Sequence, residues 1–264
     1  MQKILIYVDA GTDGTPRLMR AIGRQLPPAT YEMRAVMADD IRHDTTLFDG
    51  AVMFVMPGGA DLPFCAALNG APNERIRQFV ESGGVYWGVC AGAYYGCREI
   101  AFHAGTPGAI CGPRELCLVD AVAVGSLPEL TGGVAYDATP RSAAATAICT
   151  TENLTAIPLT VYAHYHGGCR FELDAPVGQA VQVLAGYAGI ADAPPAIVSS
   201  RFGRGKAILS GVHLETSERE CIATLCSHTD ISAHIHVCHK LAETEGARLE
   251  VFRRLLVYAG LQVR

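Results

Sequence analysis

The sequence predicts a three-layer α/β fold, with a mostly parallel sheet and an antiparallel β extension. Three observations carry this reading. Strand-like and helix-like segments alternate through the first ninety residues or so. Two of the strand-like segments, Lys3–Val8 and Ala51–Met56, are apolar almost throughout, as strands buried on both faces must be. A third, Val85–Val89, ends abruptly in Gly88-Val89-Cys90-Ala91-Gly92, small residues framing one cysteine, which is how a sharp strand-to-helix turn is written.

Taken in order, Lys3–Val8 reads as the first buried strand. Thr15-Pro16 then supplies an N-cap and a first helical position, opening a helix to about Gln25. Tyr31–Met37 is a weaker strand. Ala51–Met56 is a strand closed by Pro57-Gly58-Gly59, and Asn73–Glu81 is a helix leading into Val85–Val89. Phe102–Val183 is rich in Gly, Pro, Ala and short β-like runs (Leu116–Val124, Ala147–Thr150, Leu159–Ala163, and Gln182–Ala188 at its far edge), read as hairpins elaborating one end of the sheet. Ala196–Arg201, the turn Gly203-Arg204-Gly205-Lys206 and Ala207–Ser210 form a further hairpin. It delivers Gly211-Val212-His213-Leu214-Glu215. In the tail, Leu249, Phe252, Leu255, Leu256 and Ala259 recur at helical spacing and predict an amphipathic helix over Arg248–Leu261. No internal repeat or low-complexity linker interrupts residues 1–264, which read as a single domain.

Composition excludes several classes. The 264 residues are 50% hydrophobic and 18% charged, enough apolar material for a large core. The net charge of −5 and the lack of a basic run argue against a nucleic-acid partner. No apolar stretch of about 18 residues suggests a membrane helix. Without a signal peptide, the ten cysteines read as reduced thiols of a cytoplasmic protein, most of them small core hydrophobes.

Sites in open parallel sheets form at the carboxyl ends of strands. Cys90 is the candidate nucleophile there. A free thiol of pKa about 8.5 is only a few per cent ionised at neutral pH, and a helix N-terminus or an imidazole favours the thiolate. His213 is the candidate base and general acid. Glu215, two residues on, lies on the same side of an extended segment and is placed to fix the imidazole tautomer. The N–H groups of Gly58, Gly59 and Ala91 are candidates for an oxyanion hole. Asp61, Tyr94 and His166 are candidate substrate contacts, His166 through the turn-forming run Tyr162–Gly168. Each has a plain structural alternative: a core cysteine, a structural histidine, a simple Gly-Gly turn, a helix cap at Asp61 and a surface hairpin at His166. Cys221, Cys226, His228, His234, His236, Cys238 and His239 are rich in ligand types. Their spacing matches no standard zinc pattern, so no metal is assigned. No cofactor is expected.

Gly88-Val89-Cys90-Ala91-Gly92, Pro57-Gly58-Gly59 and His213-Leu214-Glu215 together resemble the Cys–His–Glu framework of class I glutamine amidotransferases. Within that family the chain is most similar to the amidotransferase-like N-terminal region of biotin–protein ligases and its stand-alone bacterial relatives. The shared segments are Pro57–Pro63, Cys90–Gly96, Gly112–Leu116, His166–Gly168 and Gly203–Lys206. The resemblance implies a flavodoxin-like sheet. It also implies a cysteine-dependent hydrolase or amidotransferase-like enzyme acting on a small-molecule amide or peptide-like substrate. The alternative is a non-catalytic small-molecule or partner-binding module on the same scaffold, linked to biotin–protein ligase function. A homo-oligomer or a protein partner is left open. The biotin ligase catalytic region has no counterpart in this sequence. Glutamine-hydrolysing members usually carry Gln four residues after the nucleophile, where this sequence has Tyr94. The nucleophile is retained and the usual glutamine reader is not.

Overall fold

The computed structural model describes residues 1–173, 181–225 and 234–264. The first half alternates as its apolar runs require. It contains β1 (Gln2–Tyr7), the short β2 (Thr12–Asp13), α1 (Thr15–Gln25), β3 (Tyr31–Val36), α2 (Ala38–His43), β4 (Ala51–Met56), the short β5 (Gly58–Gly59), α3 (Asp61–Leu68), α4 (Ala71–Glu81), β6 (Val85–Val89) and α5 (Ala91–Gly96). Gly14, at φ 69°, is the N-cap of α1. Thr15 lies inside the helix with no side-chain cap, one position further in than its sequence signature suggests. The second half holds β7 (Cys97–Phe102), β8 (Ile110–Pro113), β9 (Val119–Gly125), β10 (Ala143–Thr150), β11 (Thr160–His166), β12 (Arg170–Glu172), β13 (Val181–Tyr187), β14 (Pro195–Phe202) and β15 (Gly205–Ser210). The helices α6 (Glu218–Leu225), α7 (Ile235–Glu243) and α8 (Glu245–Tyr258) follow. Among the described residues no helix is long and apolar enough to cross a membrane.

The central sheet has the order β11-β10-β13-β14-β15-β6-β4-β1-β3. From β15 to β3 every pairing is parallel, and from β15 to β11 every pairing is antiparallel. Side chains alternate across this sheet with period two. Ile4, Ile6, Met53, Val55, Val85 and Trp87 face α1 and α8 in one core. Leu5, Tyr7, Phe54, Met56 and Tyr86 face α2, α3, α4 and α5 in the other. The result is three layers.

Part of the Phe102–Val183 region departs from the expected edge elaboration. Strands β12-β9-β7-β8 form a separate four-stranded sheet that joins the second core through Ile100, Val119, Ala121, Ala123 and Phe171. The helix after Cys90 is therefore only one and a half turns long, because the chain needs residues from Cys97 onward for β7. The tail helix also differs in phase. Arg248, Val251, Phe252, Leu255 and Leu256 are buried, while Leu249 is 41% exposed. Residues 248, 251, 252, 255 and 256 share one helical face, and Leu249 is turned about 100° from Arg248. Arg248 earns its place inside by donating to the carbonyls of Leu241 and Tyr162.

The β6–α5 turn rests on two glycines with no room for a side chain. A Cβ on Gly88 would lie 2.3 Å from the Gly92 carbonyl oxygen, and one on Gly92 would lie 2.1 Å from the Met56 carbonyl oxygen. Both obstacles are backbone, so neither can swing aside. Gly92→Ala gains up to about 1 kcal/mol of helix propensity and incurs about 1–3 kcal/mol of overpacking at a site that cannot relax. The expected result is a lower urea midpoint. Gly246→Ala, inside α8 with open space around it, is expected to raise the midpoint by about 0.5–1 kcal/mol of stability. Equal midpoints for the two variants would contradict this account of the turn.

Candidate active site

The site lies where β6 and β15 end side by side. Their register runs from Val85↔Lys206 to Val89↔Ser210, and the Cys90 N–H continues it by donating to the Ser210 carbonyl at 2.8 Å. Cys90 itself adopts φ 51°, ψ −109°, a backbone conformation that non-glycine residues rarely hold. Immediately after it the chain turns into α5, where the Gly92 N–H donates to the Pro57 carbonyl at 3.0 Å and ties the turn to the end of β4. Ala91 is the first residue of α5, so its N–H is among the groups a helix cannot pair internally. Three residues past β15, His213 forms an antiparallel bridge with His164 of β11, with N–H to carbonyl distances of 2.8 and 3.3 Å. That bridge sets the level of the imidazole relative to Cys90.

The structure brings Cys90, His213 and Glu215 together, each with 7% of its surface exposed. His213 Nδ1 and Glu215 Oε1 are 2.7 Å apart. The other edge of the ring faces Cys90. A Cβ built on Gly58 would lie 3.0 Å from His213 Cε1 and 3.4 Å from Cys90 Cβ, so both side chains converge over Gly58. Gly58 and Gly59 are held there by antiparallel pairing with Asp13 and Thr12. Burial alone would lower the His213 pKa. The Glu215 carboxylate outweighs it, helped by hydrogen bonding with Cys90 and Glu215, and raises it above the ordinary 6.5. Burial likewise acts to raise Glu215, and the His213 charge and hydrogen bond reverse that and lower it from 4.5. Each partner thus favours the charged form of the other.

Cys90 opens onto a cavity of about 270 Å³ that also touches Gly59, Asp61, Ala91, Tyr94 and His166. Asp61 is not a free carboxylate there. It accepts from Arg114 Nε at 2.6 Å in a buried ion pair. The Tyr94 hydroxyl donates to the Gly168 carbonyl at 2.9 Å, so its ring lines the cavity while its polar end is engaged. His166 Nε2 lies 3.1 Å from the Thr139 carbonyl oxygen, and the His166 carbonyl oxygen is 3.7 Å from Cys90 Sγ. A larger open recess of about 840 Å³ lies at the opposite end of the strands, around Gln2, Arg75, Val85 and Leu261, away from these groups.

Sequence reasoning missed the surroundings of the histidine. His164, Arg17 and Thr216 line a second cavity of about 190 Å³ that shares His166 with the first. His164 Nδ1, Arg17 Nε and Thr216 Oγ1 are buried there and have no hydrogen-bond partner among the described residues. Burial, reinforced by the His213 and Arg17 charges, holds the His164 pKa well below 6.5, so this ring is neutral. Arg17 also helps to lower Glu215. His164 falls within the run Tyr162–Gly168, but no local pattern signals Arg17 or Thr216, because α1, β11 and the segment after β15 meet only in the fold. Gly203–Lys206 has a packing role. Arg204 donates to the Ser82 carbonyl, and Lys206 Nζ donates to the Tyr258 carbonyl at 2.9 Å over the Tyr258 ring. Of the Cys/His-rich segment, Cys226 and His228 lie outside the described residues. Cys221 and Cys238 meet in a small buried cluster with their sulfurs 2.7 Å apart. Among the described residues no three His, Cys, Asp or Glu side chains converge as metal ligands would.

The opposed shifts of the pair set a pH window. A raised His213 pKa contributes stability in full below about 6.5 and loses it as pH rises through the raised value. A lowered Glu215 pKa contributes above about 4.5 and loses it as pH falls through the lowered value. The stability difference between wild type and Glu215→Gln is therefore expected to peak between about pH 4.5 and 6.5 and to shrink on both sides. Urea denaturation across that range measures it. A difference independent of pH would contradict the ion-pair assignment.

Comparisons with known proteins place the chain in a family. The family model described as "Biotin-protein ligase, N terminal" matches residues 2–264. A relative from Chlamydia muridarum (strain MoPn / Nigg), described as an uncharacterized protein, is 31% identical over 261 residues, covering 97% of this chain and 96% of its own. The biotin–protein ligase of Schizosaccharomyces pombe (strain 972 / ATCC 24843) is 29% identical over 219 residues. The match takes in 81% of this chain but only 33% of the yeast enzyme. Among solved structures, PurLQS from Thermotoga maritima superposes with a TM-score of 0.55 at 14% identity, over 97% of this chain and 98% of its own, which is a likeness of fold. With its α/β fold, the chain belongs to the family defined by the N-terminal region of biotin–protein ligases.

Proposed function

We propose that residues 1–264 act as a single amidotransferase-like unit, a cysteine-dependent hydrolase or acyl-transfer enzyme working on the amide or related acyl bond of a small-molecule or peptide-like substrate. The observation that carries this reading is the convergence of Cys90 and His213 over Gly58, with Glu215 2.7 Å from the far nitrogen of the ring. A structural cysteine does not need a strained backbone at a strand end, and a structural histidine does not need a buried carboxylate partner.

In this reading Cys90 Sγ attacks the substrate carbonyl carbon and forms a C–S bond. The oxygen takes up negative charge and is held by the N–H groups of Ala91 and of Gly58 or Gly59. The thiol proton, carried on His213, passes to the leaving nitrogen as the C–N bond breaks, giving an amine and a Cys90 thioester. Water, or an acceptor amine, then attacks the thioester. Its proton returns through His213, and the products are the free enzyme with a carboxylic acid or a new amide. Glu215 keeps the His213 tautomer and ring plane fixed through both halves. Asp61, Tyr94 and His166 line the substrate cavity, Asp61 and Tyr94 as wall elements whose polar ends are already paired.

A panel of small amides, glutamine and biotinyl amides among them, assayed for released amine against wild type and Cys90→Ala, tests the proposal. Turnover of at least one amide is expected in wild type, with a loss of about 10³-fold or more in Cys90→Ala. Equal turnover in both proteins would remove Cys90 from the chemistry.

A further inference from the structure

The wall of the cavity beside Cys90 says what kind of acyl group would sit in it. Leu62, Pro63, Ile100, Phe102, Ile110 and Tyr136 are part of that wall, whose surface is mainly apolar. Aromatic rings run along one side in edge contact: Tyr94 to Phe102 at 5.7 Å, Phe102 to Tyr136 at 5.9 Å, and Tyr136 to His166 at 4.9 Å between centroids. At about 270 Å³ the space exceeds the roughly 150 Å³ known to accept a benzene ring. Three of the polar side chains in the same wall are already engaged: Asp61 by Arg114 at 2.6 Å, the Tyr94 hydroxyl by the Gly168 carbonyl at 2.9 Å, and His166 Nε2 at the Thr139 carbonyl at 3.1 Å. A carboxamide or ammonium group placed here would give up its water for few free partners, whereas a methylene chain or aryl ring would gain from leaving water.

We propose that the acyl half of the substrate is apolar, an unbranched alkyl chain of roughly four to six carbons or an arylalkyl group, and that the cavity discriminates against a polar acyl side chain such as that of glutamine. This inference rests on the reading of Cys90 as the nucleophile. The acyl group would enter along Phe102 and Tyr136, with its carbonyl left at Cys90 beside Gly59 and Ala91.

Activated esters test the acyl preference without knowledge of the natural leaving group. The p-nitrophenyl esters of acetic, butyric, hexanoic and 3-phenylpropionic acids are reacted with the whole protein, together with the γ-ester of an N-protected glutamate α-amide as the polar acyl probe. Nitrophenolate release gives the rate as the C–O bond breaks and the Cys90 C–S bond forms, and peptide mass mapping gives the acylated residue. Each rate is divided by that of N-acetylcysteine with the same ester. Burial of methylenes is worth roughly fourfold per carbon at most, so the hexanoyl and phenylpropionyl esters are expected to exceed the acetyl and polar esters by at least about tenfold. The modified residue is expected to be Cys90. Leu62, half-exposed on the cavity rim, provides a variant that retains its fold. Leu62→Gln is expected to reduce the hexanoyl-to-acetyl ratio by roughly threefold. Acylation of Cys90 with a flat or polar-favouring profile would overturn the apolar assignment and leave the nucleophile standing. Absence of any Cys90 acylation by all five esters would overturn both.

Discussion

The strained backbone at Cys90 is the constraint on which the rest of the site depends. A residue at φ 51°, ψ −109° costs of order 1–3 kcal/mol and persists only where its surroundings leave the chain no alternative. Here the surroundings are backbone. Gly88 and Gly92 close to within a missing methyl of each other and of Met56, the Cys90 N–H is held by Ser210, and the Gly92 N–H is held by Pro57. Three parallel strands, β4, β6 and β15, thus contribute one anchor each to a single turn. The same anchoring lifts the thiol out of the sheet and sets it beside the first N–H of α5. The geometry of the nucleophile is a property of the sheet, and local flexibility has little part in it.

The second half of the site follows from where β15 stops. Because β15 is adjacent to β6 and parallel to it, the chain leaving Ser210 passes beside Cys90, and the bridge to His164 halts it with His213 at the right level. Glu215 is then carried into the interior, where its charge is met by His213 and by Arg17. His213 divides two environments. The apolar cavity opens from Cys90, while beyond His166 a smaller cavity is lined by the neutral His164 ring, Arg17 and Thr216. A buried charged pair beside a mainly apolar cavity is a low-dielectric arrangement, in which hydrogen bonds to a developing oxyanion would gain strength.

Much of this was readable from residues alone, and the failures have physical causes. Uniformly apolar runs such as Ala51–Met56 identify buried parallel strands because both faces of such a strand must be covered. The glycine frame of Cys90 identified the turn because only close backbone approach requires two glycines at that spacing. The separate sheet β12-β9-β7-β8 was not legible. Runs such as Leu116–Val124 state that a strand exists but not which strand it joins, and β7 with β9 is a parallel pairing that no hairpin turn announces. Arg248 was left outside the predicted stripe because an arginine reads as solvent-facing until the Leu241 and Tyr162 carbonyls that receive it are known. Tyr94 and Asp61 line the cavity. Their partners, Gly168 and Arg114, come from distant segments, so the loss of their free polar ends is visible only in the fold.

The central claim is that the fold activates Cys90 through His213. Competitive alkylation tests it most directly: limiting iodoacetamide at neutral pH, followed by peptide mapping of every cysteine, in wild type and in His213→Gln. Cys90 is 7% exposed and Cys111 is exposed, so accessibility alone would label Cys111 first. The account predicts that Cys90 is modified ahead of Cys111 in wild type and that His213→Gln abolishes this order. Labelling in the order of exposure in wild type, or an order unchanged by His213→Gln, would contradict it.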